Sequence, residues 1–144
     1  MYIFDGAMGT MLQAAGLEEG YCPELFNIEK PEVVKNIHAQ YLQHGSDVIT
    51  TNTFGACGLK LEDYELQDRV KEINIAAVKV AKEAIAEVKP SARVAGSMGP
   101  TGRFLQPLGN MSFDSIYDTY REQADALIEG GVDFIIIETI IDVQ

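Results

Sequence analysis

Gly131-Val132-Asp133-Phe134-Ile135-Ile136-Ile137-Glu138-Thr139 is the stretch that decides the fold. Phe134 to Ile137 are consecutive apolar residues with no polar face, so the run reads as a strand covered on both sides, as strands of a parallel sheet are. Glycine in front of it ends a helix. A carboxylate directly behind it stops the run.

The same rhythm extends back to the N-terminus. Tyr2-Ile3-Phe4 is a short apolar run ending in Asp5-Gly6, and it reads as the first strand. Residues 31–44 read as a helix, with Pro31 at an allowed first-turn position and Val33, Val34, Ile37 and Tyr41 at helical spacing. Gly45 ends it, and residues 47–51 read as the second strand. Residues 68–88 predict a long helix with Val70, Ile73, Ala77, Val80, Ala81 and Ala84 on one face, stopped by Pro90. Residues 93–96 read as a weaker third strand. Ser112 caps a helix running to about residue 129, which Gly130-Gly131 terminates. Strands alternating with helices imply βαβ units and a parallel sheet.

A faint internal repeat accompanies this order. His44-Gly45-Ser46-Asp47-Val48-Ile49 resembles Gly130-Gly131-Val132-Asp133-Phe134-Ile135, and the alignment sets Asn52 opposite Glu138. Glycine followed by a strand is common after any helix, so chance similarity is the competing reading.

Each strand ends in polar or glycine-rich residues: Asp5-Gly6-Ala7-Met8-Gly9-Thr10, Thr51-Asn52-Thr53, Ser97-Met98-Gly99-Pro100-Thr101-Gly102 and Glu138-Thr139. Parallel α/β folds bind ligands at the carboxyl ends of their strands, so these positions predict one polar rim. Strands also end in polar residues simply because they reach the surface. Glu138 could instead cap a following helix, and Asp5 could cap a turn over residues 7–12. The glycine loops lack the spacing and lysine of a phosphate loop. His38 and His44 lie six apart, which is not metal-pair spacing, and both are expected to be satisfied or exposed helix residues. Cys57 could face the rim, but a plain buried thiol is the simpler expectation. The methionines are expected in the core.

A formal net charge of −11 disfavours a phosphate backbone as partner, so no nucleic acid is expected. No apolar run is long enough for a membrane, and no basic-then-apolar leader is visible, so the expected location is cytoplasmic. Hydrophobic residues make up 47%, enough for a core. The two cysteines form no CxxC pair, and a disulfide framework is not expected.

Phe4-Asp5-Gly6-Ala7-Met8-Gly9-Thr10 resembles the opening motif of the homocysteine S-methyltransferase family. The run from Gly45 to Ala56, Leu25-Phe26-Asn27 with Pro31-Glu32-Val33-Val34, Gly99-Pro100-Thr101-Gly102, and Val132 to Thr139 match further motifs in order. The resemblance implies a (β/α)8 TIM barrel that binds homocysteine at its C-terminal face. Its first four βα units are expected here, making residues 1–144 the N-terminal half-barrel. It also implies a Zn2+ held by three cysteines after the sixth and eighth strands, activating the substrate thiolate for methyl transfer from methylcobalamin or another donor. Cys22 and Cys57 do not match those positions, so no metal ligand and no catalytic residue is assigned, and the chain alone is expected to be inert.

Carried over by the resemblance, Glu138 would accept hydrogen bonds from the substrate ammonium. Asp5 with the backbone of Gly6 and Ala7 would hold the amino-acid portion, and Thr51 and Asn52 would line the same pocket. The expected partners are homocysteine, a second half-barrel or another copy of the chain, and a cobalamin-binding module. The alternative is a non-catalytic half-barrel that serves binding or assembly without a zinc site.

Overall fold

A computed structural model describes residues 1–140. A parallel sheet of three strands carries the fold, in the order β1 (Val48–Thr50), β2 (Arg93–Met98), β3 (Phe134–Ile137). The segment expected to be the first strand pairs only once. Phe4 bridges Val48, with Asp5 N–H donating to the Val48 carbonyl at 3.0 Å. The Asp5 carboxylate, and not a backbone carbonyl, then accepts Thr50 N–H at 2.8 Å, so the backbone ladder stops there. The third strand runs two residues beyond the expected end at 96, because Ser97 and Met98 find register partners in Ile136 and Ile137.

Among the described residues, six α-helices join these strands: α1 (Gly9–Ala14), α2 (Phe26–Glu29), α3 (Pro31–Gln43), α4 (Gly58–Leu61), α5 (Val70–Val88) and α6 (Phe113–Gly130). The three long ones follow the sequence expectation closely. Pro31 opens α3, and the Ser112 hydroxyl caps α6 by accepting from Ser115 N–H at 3.2 Å. Gly131 ends α6 with φ +86°, a left-handed position natural to glycine. The short α2 and α4 carry too few residues to show a period in sequence, and neither was expected.

The sheet has two faces of different character. Ile49 and Val94 point to the helices, packing with Leu42, Ala81 and Ala84. Alternation places Val48, Thr50, Ala95, Ser97, Phe134 and Ile136 on the opposite, concave face. α5 lies between α3 and α6, and its buried Ala77, Val78, Val80, Ala81 and Ala84 let all three helices approach the sheet closely.

The repeat has structural content. Asp47 and Asp133 each stand just before a strand, and each accepts a backbone N–H from the preceding extended segment. Ile3 N–H donates to Asp47 at 3.0 Å, and Val94 N–H donates to Asp133 at 2.8 Å. Gly45 and Gly131 precede them with φ of +108° and +86°.

His38 departs from expectation. It is fully buried, and neither ring nitrogen has a hydrogen-bond partner. Its position, four after Val34 and four before Leu42, puts it on the inward stripe of α3. His44 is exposed at the helix end, with Nδ1 2.7 Å from the Gln40 carbonyl.

Candidate functional site

A cavity of about 500 Å3 opens at the carboxyl ends of the strands. Asp5, Gly6, Ala7, Thr51, Asn52 and Glu138, the residues singled out from sequence, all line it. Three segments far apart in the chain bring them there, because each leaves the sheet at the same end.

Asp5 is held by the second strand. Its carboxylate accepts Thr50 N–H at 2.8 Å and the Thr50 hydroxyl at 3.1 Å. It caps no turn after residue 7. Burial is the main influence on its acidity, and the nearby Glu138 charge acts in the same direction. Together they outweigh the two Thr50 hydrogen bonds and raise the pKa from 3.8 to about 6. Asp5, Glu24 and Glu138 all line the cavity, which makes it a negative site suited to a cationic group.

Glu138 is exposed, yet it is anchored: the Ser97 hydroxyl donates to its carboxylate at 2.6 Å. Its backbone N–H continues the β2–β3 ladder to the Met98 carbonyl at 3.0 Å. The alternative helix-capping role would involve residues 141–144, which lie outside the described residues.

Thr51 and Asn52 form the floor and the wall. The Thr51 hydroxyl oxygen lies 2.6 Å from that of Thr53 and accepts Ser97 N–H at 3.1 Å. The Asn52 amide donates to the Pro23 carbonyl at 2.8 Å, while the Asn52 carbonyl accepts from the Asn27 amide at 2.8 Å. Both of these Asn52 groups tie the Pro23–Asn27 segment to the strand end.

Several cavity residues stand outside the set singled out from sequence, among them Thr50, Phe54, Ser97 and Glu24. Ser97 was visible at the end of the third strand, but nothing there distinguished it from its neighbours. Glu24 is a buried carboxylate that accepts Gly55 N–H at 2.7 Å and the Cys22 thiol at 3.3 Å. An acid between Pro23 and Leu25-Phe26 in an apolar segment was the available signal. Beneath the floor, fully buried Gln123 of α6 donates to the Thr53 carbonyl at 2.8 Å, which locks the helix to the strand end.

Neither cysteine suits a zinc ion. Both are buried and neither lines the cavity. Burial and the neighbouring Glu24 push the Cys22 thiol up to about 12, and burial raises Cys57 as well, so both are thiols in the metal-free chain. Among the described residues no group of three or more His, Cys, Asp and Glu side chains converges to hold a metal. No helix among them is long and apolar enough to cross a membrane.

Comparison with known proteins gives this geometry a context. The chain is 39% identical over 145 residues to methionine synthase from Mycobacterium tuberculosis, covering 94% of this chain and 12% of that protein. It superimposes on the metallated form of the homocysteine methyltransferase MmuM from Escherichia coli with a TM-score of 0.80 at 26% identity, covering 96% of this chain and 54% of that one. The oxidized form of MmuM gives a TM-score of 0.77 at 25% identity, with coverage of 94% and 51%. The chain thus spans about half the length of these solved relatives. The homocysteine S-methyltransferase family matches residues 2–144, and the chain belongs to that family.

Proposed function

We propose that this chain is the homocysteine-binding half of a (β/α)8 barrel, with residues 1–144 as its first four βα units. One observation carries the reading. Asp5 and Glu138 arrive from opposite ends of the chain at one cavity, beside the Gly6–Ala7 backbone. The carboxylates suit the substrate ammonium, and backbone N–H groups of Gly6 and Ala7 suit its carboxylate. Thr51 and Asn52 shape the pocket between them. The substrate thiol would then point away from both acids. Zinc and a methylcobalamin-carrying module belong, in this proposal, to the larger assembly, and no residue of this chain takes a step in methyl transfer.

Calorimetry of the folded chain with homocysteine tests the reading. Binding is expected, and Glu138→Gln should weaken it by about tenfold, the scale of a lost charge-assisted hydrogen bond. A folded chain that takes up no homocysteine at millimolar concentration sinks it.

The alternative, a non-catalytic assembly module, draws on a different feature. Between the loop after β2 and α6, at the carboxyl ends of β2 and β3, lies an apolar groove of about 930 Å3, lined by Phe104, Leu108, Phe113, Tyr117 and Ile137 among others. Leu108 and Ile137 are 89% and 70% exposed, and the Tyr2–Phe4 edge across the sheet is exposed too. Unpaired edges of this kind favour pairing with a second half-barrel or another copy. A stable monomer on size-exclusion chromatography would count against assembly.

A further inference from the structure

We infer that Ser97 is a positioning residue: its hydroxyl holds one oxygen of Glu138, so that the other is presented to the ammonium group of the bound amino acid. The inference rests on the homocysteine reading above and extends it to a residue outside that ligand set.

Register explains why Ser97 is in place. It pairs with Ile136, so Glu138, two residues further on, projects on the same side of the sheet as a diagonal neighbour. The Ser97 hydroxyl donates to Glu138 Oε1 at 2.6 Å. A serine hydroxyl has one proton to give, so this bond commits it.

The serine itself cannot drift. It is 3% exposed. Its N–H donates to the Thr51 hydroxyl oxygen at 3.1 Å, and its carbonyl accepts the Thr53 hydroxyl at 2.7 Å. The Ser97 peptide unit is thus pinned to the second strand end from both sides.

Glu138 needs such an anchor. It is an exposed residue at the end of an edge strand, and Thr139 directly after it turns the chain with φ +59°. Left alone, a glutamate there samples many rotamers, and ordering it would oppose binding. Ser97 fixes the rotamer before the ligand arrives, and only Oε1 is used in doing so.

The test compares two ligands: homocysteine and 4-mercaptobutanoate, which keeps the thiol and carboxylate but lacks the amine. The unmodified chain should favour homocysteine. Ser97→Ala should weaken homocysteine about tenfold and leave the analogue within about twofold, so the preference shrinks. Ser97→Thr keeps a hydroxyl on the same carbon and should retain the preference. In a Glu138→Gln background, Ser97→Ala should cost no further homocysteine affinity, since its effect passes through Glu138. If Ser97→Ala keeps the full preference, or its loss adds to that of Glu138→Gln, the positioning role is overturned and the homocysteine reading stands. If the unmodified chain binds no homocysteine, both fall.

Discussion

Phe4 and Phe134 lie on the two outermost extended segments of the sheet, yet their rings meet edge to face with centroids 6.1 Å apart. Three interstrand steps in a flat sheet would separate those backbones by about 14 Å. Large inward side chains on a strongly curled surface close that gap, and the concave face they share is the one that carries Ser97 and, beyond it, Glu138. Curvature therefore joins the fold to the site: it draws Asp5, next to Phe4, toward Glu138, four residues past Phe134.

Phe4→Leu should loosen that contact while keeping an apolar side chain. Phe4 is 43% exposed, so the aromatic pairing is lost with little cavity cost, and a destabilisation of about 1 kcal/mol is expected. Urea denaturation followed by circular dichroism reads it. An unchanged midpoint would mean the curl is held by the helices alone.

Asp5 predicts a pH dependence for ligand binding. Its pKa is raised from 3.8 to about 6, chiefly by burial, so near pH 7 it is mainly the carboxylate that an ammonium ligand requires. Homocysteine affinity should hold steady above pH 7 and fall as the pH drops through 6, approaching tenfold per pH unit below that. Asp5→Asn should bind weakly across the range and show no such step. Calorimetry from pH 5 to 8 measures both, and an identical slope in the variant would clear Asp5 of the role.

The long helices and the central strands were legible in sequence because their signals repeat over many residues, as along α5. The first strand was over-read. Tyr2-Ile3-Phe4 has strand composition, but its pairing depends on what lies beside it, and only one bridge forms. His38 was misread because a helix of alternating character does not announce which of its polar residues faces inward. Ser97, placed on the rim but given no role, and Glu24, not singled out at all, share a related reason. Their importance comes from partners in distant segments, Glu138 and Gly55, which the linear order does not connect.

Gly99 offers a test of the loop after β2. A Cβ there would lie 2.7 Å from the Phe54 carbonyl oxygen and 2.7 Å from its ring, while Gly99 N–H donates to that same carbonyl at 3.0 Å. Backbone cannot yield as a flexible side chain does, so Gly99→Ala should cost about 1–3 kcal/mol and lower Tm by several degrees. It should also weaken homocysteine binding, because Phe54 lines the cavity. A thermal melt that matches the unmodified chain would show the loops separating without strain.

His38 makes a prediction about acid stability. Burial without a partner lowers its pKa from 6.5 to about 4, so the folded chain holds the ring neutral where the unfolded chain would protonate it. Above pH 6.5 this carries no penalty. As the pH falls from 6.5 to 4 the unfolded state binds the extra proton and stability is lost, and below 4 the loss levels off. Asp5 acts in the opposite sense: its raised pKa contributes stability that is complete below 3.8 and is lost as the pH rises through 6. The two partly cancel in the unmodified chain, so its own pH profile hides both. His38→Leu separates them. It leaves no partner stranded, since the ring has none, and should be neutral or stabilising at pH 7.5. Its advantage over the unmodified chain should then widen by on the order of 1 kcal/mol per pH unit between 6.5 and 4. Urea titrations of both chains at several pH values measure the gap. A constant gap would show that the folded chain protonates the ring as readily as the unfolded one.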